Sequence, residues 1–531
     1  MKSFNTTAVC IPEKHYMVDL SERIAEIRQL VDSGKYFTIN RARQYGKTTT
    51  ISRLCEALED DYYVLSLDFQ QISDAGFKDE ESFVKAFCRN VLKRGKKIPV
   101  PEEVTDQLNE FIERKEDKAV FDELFYVLSG WCKKSDKPIV MIIDEVDTAA
   151  NNQVFLDFLA QLRAGYLERE NDPEEKVFQS VILAGVTDVK HVKSKIRDES
   201  EHKVNSPWNI AADFMVDMSL SQTGIQGMLD EYEADHHSGM DTASIAKQIR
   251  EYTNGYPYLV SRICQIIDER MVPGQFHDLR DAWTEYGVDE AVKIMLSETG
   301  NSLFDSLTGK LTNYPNLKKK LKKVLLRGDT LAWLPYDEEQ QQLYMYGFIR
   351  NDHNTVAVSN RVFEMLLYTH FIGENNDNDD LKQIASETKS VFVDEDGELD
   401  IPKIMDHFII EHNRIHGDNT EKFLEDEGRE RFVTYVAAII NGTGTYSIEE
   451  QTRNHKRMDM VIHYLGRRYV IEIKIWRGDR YNADGEKQIS EYLDYFGLST
   501  GYMLSFNFNQ KKKSGVELVH VGDRIIYEGT V

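Results

Sequence analysis

The sequence predicts an α/β chain with two separate α/β units: a parallel sheet built around a phosphate-binding loop in the first half, and an αβββαβ unit at the carboxy-terminal end. Three observations predict it. An apolar strand over 36–40 runs directly into Arg41-Ala42-Arg43-Gln44-Tyr45-Gly46-Lys47-Thr48, and a helical pattern continues over 49–58. A continuous apolar run, Pro138-Ile139-Val140-Met141-Ile142-Ile143, ends in Asp144-Glu145; such a run reads as a central parallel strand covered on both faces. Near the other end two apolar strands meet at Leu465-Gly466, with Asp459 on the first and Glu472 and Lys474 on the second. The 531 residues, 41% apolar and 11% aromatic, suffice for three or four domains, each with its own core.

The first two observations belong together. In the pattern G-x-x-x-x-G-K-S/T, backbone N–H groups and a helix amino terminus cradle phosphates, the lysine reaches the β and γ phosphates, and the hydroxyl ligates Mg²⁺. Gly46, Lys47 and Thr48 fit, with Thr49 next on the helix, while Arg41 stands where the first glycine is expected. The lysine is expected near the surface of the loop. Ligands bind beyond the carboxyl ends of parallel strands, so Asp144 is expected to hold Mg²⁺ through water and Glu145 to polarise an attacking water. These read as Walker A and Walker B elements of an ATP site.

The RxRxxGKT form, with Arg41 and Arg43, resembles the bacterial AAA-ATPase-like family, related to the signal-transduction ATPases. The resemblance implies a P-loop NTPase sheet with a helical lid, ATP and Mg²⁺ as ligands, and possible self-assembly through the ATPase domain. It further implies a sensor position after a strand over 178–184, where Thr187 approaches the γ-phosphate. Gly255-Tyr256-Pro257, between helices over 242–252 and 257–271, resembles the GxP element, whose proline backs the adenine or links nucleotide state to the next domain. Two plainer readings stand beside these: Asp188 as a helix cap and Pro257 as a first-turn proline. Ser206-Pro207-Trp208-Asn209-Ile210 matches the family's loop before a sheet strand. An arginine finger would come from a neighbouring chain, with Arg163 and Arg197 as candidates.

The middle of the chain reads as a winged-helix-like connector. A helix over 304–326, basic around Lys318-Lys319-Lys320-Leu321-Lys322-Lys323, precedes a helix over 338–347, two short strands over 348–350 and 355–359, and a helix over 361–371. The acidic, glutamine-rich stretch 337–342 suits a recognition groove poorly, which favours transmission of nucleotide state over DNA reading. The polar, acidic run at 373–380 suits a linker. The predicted domains are 1–220 (ATPase core), 221–300 (lid), 301–372 (connector), 373–418 (linker and helical segment) and 419–531 (carboxy-terminal unit).

In that last unit, a turn at Leu465-Gly466 puts Asp459 directly opposite Glu472, with Cβ atoms roughly 4.5–5.5 Å apart. Lys474 shares the face of Glu472. Two carboxylates and a lysine on one sheet face suit divalent-metal phosphodiester hydrolysis, in which Mg²⁺ or Mn²⁺ activates water and the lysine steadies negative charge. The plainer reading is an amphipathic hairpin. A helix over 421–440, a strand over 445–450, the hairpin, a helix over 484–496 and a strand over 501–506 complete the αβββαβ order. This resembles the PD-(D/E)XK nuclease superfamily over the last hundred residues, with the motif at Asp459 and Glu472-Ile473-Lys474. The resemblance implies a third acid on the first helix, Glu430 or its rival Glu427, and auxiliary roles for Gln488 and Tyr492. Met458 stands where the superfamily has its proline.

Charge and cysteines frame these readings. A net charge of −25 argues against broad, nonspecific attraction to nucleic acid. Yet residues 452–480 carry eight basic side chains (Arg453, Lys456, Arg457, Arg467, Arg468, Lys474, Arg477, Arg480) against three acidic ones, the distribution a nucleic-acid face needs. Lysine and arginine that discourage edge pairing are the alternative. Five scattered cysteines without metal-ligand spacing, no leader pattern and no membrane-length apolar run predict a cytoplasmic protein. The combined expectation is an ATPase whose nucleotide state licenses cleavage of DNA or RNA, in bacterial defence or nucleic-acid processing. The competing expectation is an ATP-dependent switch or scaffold that binds without cutting.

Overall fold

In the computed structural model the chain forms two compact units, Met1–Ala291 with Gln341–Phe348, and Val292–Gln340 with Ile349–Val531. The structure describes all residues except 1, 95–97, 116–117, 173, 187–207, 273, 327–330, 375–390, 394–397, 417–424, 441–443, 452–456, 477–478 and 508–511.

The first unit opens with a short parallel pair, β1 (Ser3–Phe4) and β2 (His15–Tyr16). It continues through α1 (Ser21–Asp32), β3 (Phe37–Asn40), α2 (Lys47–Leu58), β4 (Tyr63–Asp68), α3 (Glu80–Arg94), α4 (Glu102–Glu113), α5 (Phe121–Lys134), β5 (Ile139–Asp144), α6 (Gln153–Asn171) and β6 (Ser180–Gly185). The four longer strands are parallel in the order β3-β6-β5-β4, and Ala212 bridges Phe37 at the β3 edge. Alternation along the strands divides their side chains between two cores. Leu65, Leu67, Met141, Ile143 and Leu183 pack with Phe83, Phe87, Phe121, Trp131 and Phe158 of α3, α5 and α6. Phe37, Ile39, Val140, Ile142 and Ile182 pack with Ile27 and Val31 of α1 and Ile51, Leu54 and Leu58 of α2. Every residue of β5 is buried, which is why that strand carries no polar residue before Asp144. Each such side chain contributes roughly 1.5–3 kcal/mol on burial, so the sheet's carboxyl edge is a rigid platform.

The helices α7 (Gln222–His236), α8 (Thr242–Thr253), α9 (Pro257–Ile266) and α10 (Leu279–Ala282) follow. Asp241 starts α8 by accepting from the amides of Ala243 and Ser244. Gly255 has φ +70°, and a Cβ there would sit 2.2 Å from the Leu220 carbonyl oxygen, so only glycine fits between α8 and α9.

The helix α11 (Glu285–Ser297) leads to α12 (Ser302–Asn313), α13 (Pro315–Leu326), α14 (Glu338–Met345), the hairpin β7 (Ile349–Asp352) and β8 (Thr355–Val358), and α15 (Arg361–Glu374). The single helix expected over 304–326 is two helices. Tyr314 precedes a proline, which disfavours helical backbone, and it sits at φ −127°, ψ 78°. Ala332 bridges Thr355, adding a third strand position beside β8.

The remaining elements are α16 (Ile401–His416), α17 (Glu425–Ile440), β9 (Gly444–Gln451), β10 (Arg457–Tyr464), β11 (Arg467–Ile475), α18 (Asp479–Phe496), β12 (Thr500–Phe506), β13 (Gly515–Val521) and β14 (Arg524–Thr530). They build a six-stranded mixed sheet in the order β13-β14-β12-β11-β10-β9. Residues α17 to β12 run in the expected αβββαβ order, but the sheet is larger than expected by the hairpin β13–β14. Helix α16 packs on it through Phe408, whose ring lies 6.3 Å from that of Phe506, and through Met405 and Ile409 against Gly529. The acidic linker run expected at 373–380 begins inside α15, which ends at Glu374, and its remainder lies outside the described residues. No described helix is long and apolar enough to cross a membrane.

Candidate functional site

The carboxyl edge of the parallel sheet gathers the residues of the first motif. After β3 the chain turns through Gln44 and Gly46, both at positive φ (56° and 77°), into α2. Lys47 opens that helix and is 7% exposed, so it is buried rather than near a loop surface. Its Nζ donates to the carbonyls of Arg41 and Ala42 at 3.0 and 3.1 Å. Burial pushes the ammonium below its ordinary range, and Asp147, then Glu145 and Asp144, oppose that shift. Thr48 Oγ1 donates to Asp144 Oδ2 at 3.1 Å, and Asp144 Oδ1 accepts from the Glu145 amide at 2.9 Å. Burial raises both carboxyls above their usual range. A hydroxyl beside a carboxylate oxygen is the hard-oxygen set that Mg²⁺ takes, so Thr48 and Asp144 fit the expected ion.

The other predicted residues of this site divide by role. Arg41 donates through Nη1 to the Asn40 carbonyl and through Nη2 to the Val216 carbonyl, at 2.7 and 2.8 Å, and stacks over Phe214. That tie to the segment beside β3 is a physical reason for arginine at the first-glycine position. The Arg43 side chain is exposed at the loop, and its carbonyl accepts from the Tyr256 hydroxyl. Thr49 Oγ1 accepts from the Cys10 amide at 3.1 Å. Pro257 backs the loop: a Cβ on Gly46 would lie 3.7 Å from Pro257 Cγ. Thr187, Asp188, Arg197, Ser206 and Pro207 lie outside the described residues. Trp208 donates from its indole to Thr38 Oγ1 at 2.8 Å, and Arg163 is half-buried on α6. Sequence reasoning missed Asp147, whose Oδ2 accepts from the Val186 amide at 2.8 Å; the signal was the third acid in Asp144-Glu145-Val146-Asp147.

The second candidate site lies on the mixed sheet. Strands β10 and β11 pair as Met460 with Ile471, Val461 with Val470 and Ile462 with Tyr469, around a turn with Leu465 and Gly466 at φ 47° and 80°. Just past Met460, Asp459 Oδ2 accepts from the Ile473 amide at 2.8 Å. Glu472, 1% exposed, has Oε1 2.9 Å from Lys474 Nζ. Lys474 Nζ in turn lies 3.3 Å from Gln488 Oε1, and Gln488 Nε2 donates to the Tyr492 hydroxyl at 2.6 Å. Burial, then Glu472, raises the Tyr492 phenol well above its usual range. Arg429, on α17 and unforeseen, approaches Asp459 Oδ1 at 3.4 Å. Glu427 and Glu430 fall on α17, with side chains outside the described residues.

Three of the eight basic residues have described partners: Lys474 pairs with Glu472, Arg467 pairs with Glu398, and Arg468 lies over Phe496 at 5.3 Å. The side chains of Arg453, Lys456, Arg457, Arg477 and Arg480 are outside the described set. Two carboxylates are hard donors suited to Mg²⁺ or Mn²⁺, although among the described residues no group of three or more His, Cys, Asp or Glu is arranged to hold a metal.

A parallel sheet whose first strand feeds a glycine-lysine-threonine loop, with the threonine bonded to the acid ending a buried strand two places along the sheet, defines a P-loop ATPase. The chain belongs to the AAA-like domain family, whose model matches residues 13–369. Among solved structures, the Walker-type ATPase Paby2304 of Pyrococcus abyssi is similar at 12% identity and TM-score 0.46, over 68% of this chain and 99% of that one. The Thermotoga maritima RuvB Holliday junction branch migration motor matches at 10% and 0.33, over 67% and 95%. The Aeropyrum pernix ORC1 protein in complex with DNA matches at 11% and 0.32, over 66% and 93%. No curated protein matches the chain.

Proposed function

We propose that this ATPase uses its nucleotide state to govern a divalent-metal phosphodiesterase site at Asp459, Glu472 and Lys474 that cleaves DNA or RNA. The observation that carries the reading is the chain of contacts from Asp459 on the Ile473 amide, through Glu472 and Lys474, to Gln488 and Tyr492. A buried carboxylate is kept only where charge is used or paired, and here two carboxylates, a lysine and an amide meet around one bend of the sheet.

At the ATP site, Lys47 binds the phosphates, Thr48 and Asp144 hold Mg²⁺, Glu145 polarises the attacking water, and Arg43, Thr49, Thr187 and Pro257 complete the pocket. At the second site, Asp459 and Glu472 hold Mg²⁺ or Mn²⁺, with Glu430 or Glu427 as the third acid. The ion supplies an activated water and charge neutralisation there. The chain's own groups do the rest: the Ile473 amide orients Asp459, and Gln488 holds Lys474 toward the negative charge that develops on the phosphate. The division into ATPase core, lid, connector and carboxy-terminal nuclease-like domain, self-assembly through the ATPase domain, and a role in bacterial defence or nucleic-acid processing belong to the same proposal. The last rests on family resemblance alone.

Metal stoichiometry tests it without relying on turnover. Mn²⁺ titration of the full chain with a non-hydrolysable ATP analogue should reveal two classes of site, one lost in Asp459→Ala and the other in Asp144→Ala. A single, nucleotide-linked class contradicts the proposal.

A second reading has its own observation. Arg429 already faces Asp459 and Lys474 already faces Glu472, so the carboxylates are neutralised within the protein. An ATP-dependent switch or scaffold would need no more, and it predicts the single class.

A further inference from the structure

We propose that Asp147 is a positioning residue of the ATP site: its carboxylate fastens the turn that carries Glu145 to the carboxyl end of β6. Strands β5 and β6 are paired as far as Ile143 and Leu183. Beyond that pair the two chains part, and Asp147 Oδ2 closes the gap by accepting from the Val186 amide at 2.8 Å. The approach is so close that Gly185 has no room for a side chain. A Cβ there would lie 2.9 Å from Val146 Cγ2 and 3.2 Å from each Asp147 carboxylate oxygen.

The tether matters because of what lies at its other end. Glu145 sits in the left-handed region, at φ 56° and ψ 43°, a conformation that a residue with a side chain leaves unless its surroundings hold it. Its neighbours form a short 3-10 turn, Val146–Thr148. One end of that turn is fixed by the Thr148 hydroxyl, 3.1 Å from the Glu145 carbonyl oxygen and 3.4 Å from that of Phe69. Asp147, in its middle, ties the turn to the end of β6. Val146, its first residue and fully buried, anchors it in the core. Without Asp147 the turn relaxes, Glu145 returns to a common backbone region, and its carboxylate no longer points where the γ-phosphate and attacking water meet. Binding of ATP through Lys47 and the loop amides does not use this turn. The asparagine isostere keeps an oxygen for the Val186 amide, so it separates the tether from the charge that Asp147 also presents toward Lys47.

The inference rests on Glu145 acting in ATP hydrolysis, and the experiment separates the two. ATP affinity, kcat for hydrolysis and amide hydrogen exchange at Val186 are measured on the full chain for wild type, Asp147→Ala, Asp147→Asn, Gly185→Ala and Glu145→Gln. Asp147→Ala should accelerate exchange at Val186 and lower kcat about tenfold or more, the scale of a misplaced catalytic group, with ATP affinity little changed. Asp147→Asn should stay near wild type in both, and Gly185→Ala should behave like Asp147→Ala. Unchanged exchange at Val186 in Asp147→Ala overturns the tether, and so does an Asp147→Asn variant as impaired as Asp147→Ala. Wild-type turnover in Glu145→Gln would instead refute the role of Glu145, with the exchange data still deciding the tether.

Discussion

The two candidate sites treat their lysines in opposite ways. Lys47 is stored on two backbone carbonyls of its own loop, and the carboxylates near it act at longer range. Lys474 is bound directly to Glu472 and steadied by Gln488. An ammonium on neutral carbonyls exchanges them readily for a phosphate, because the phosphate offers charge that the carbonyls lack. An ammonium in a buried ion pair is already neutralised, and removing its partner leaves an uncompensated charge. The first arrangement is therefore poised for an anionic ligand, whereas the second is a closed, self-balanced group that a metal ion or a phosphodiester would have to reopen.

The largest effect expected from this contrast is at the loop. Lys47→Ala should lower ATP hydrolysis by about 100-fold or more, the scale of deleting one charged group that stabilises a phosphoryl transition state. Hydrolysis at the wild-type rate in steady-state assays would break the comparison at the loop.

A smaller effect sharpens the hairpin side. Arg429 is a second cation competing for Asp459, so Arg429→Gln should tighten Mn²⁺ binding at that site by about tenfold, the scale of removing one nearby like charge. Isothermal titration of the nucleotide-loaded chain reads it. Unaltered affinity would mean that Arg429 does not oppose the metal.

The smallest effect is a pH dependence of stability. Burial first, then Asp144, raises the Glu145 carboxyl above its ordinary 4.5. The folded state thus binds the proton more tightly than the unfolded chain, and stability falls as pH rises from that ordinary value through the raised one. Glu145→Gln removes the charged form, so it should raise the melting temperature at pH 7 by about 2 °C. The gain should vanish as the pH falls through the ordinary carboxylate range. A gain that persists in acid would assign the effect to packing instead of charge.

Much of this was legible in the sequence where function sits in local backbone and short spacing. The strand before Arg41, the turn at Gly46 and the buried run before Asp144 each announce themselves within a few residues. The hairpin register from Met460–Ile471 to the turn followed from Leu465-Gly466 alone, whereas Gln488 and Tyr492 came from the family resemblance, with their spacing of four placing them on one helix face. What escaped depends on neighbours distant in sequence. Asp147 acquires its role only because β6 lies beside β5, and Arg429 only because α17 packs over the hairpin. Arg41 stood out in the sequence only as a departure from the first glycine, and its ties to Val216 and Phe214 depend on a segment far along the chain. The β13–β14 hairpin had a signal in Gly522-Asp523 between apolar alternations, but an edge hairpin buries little on its outer face, and its pattern is weak for that reason. The break at Tyr314-Pro315 was also in plain view, and the lysine-rich helical periodicity on either side overrode it.

The most direct test of the central claim is cleavage of labelled single- and double-stranded DNA and RNA by the full chain in Mn²⁺ or Mg²⁺, with and without ATP, beside Asp459→Ala and Lys47→Ala. The account predicts cleavage that disappears in Asp459→Ala and whose dependence on ATP disappears in Lys47→Ala. Intact ATP hydrolysis with no cleavage of any substrate would contradict it and leave the switch or scaffold reading in its place.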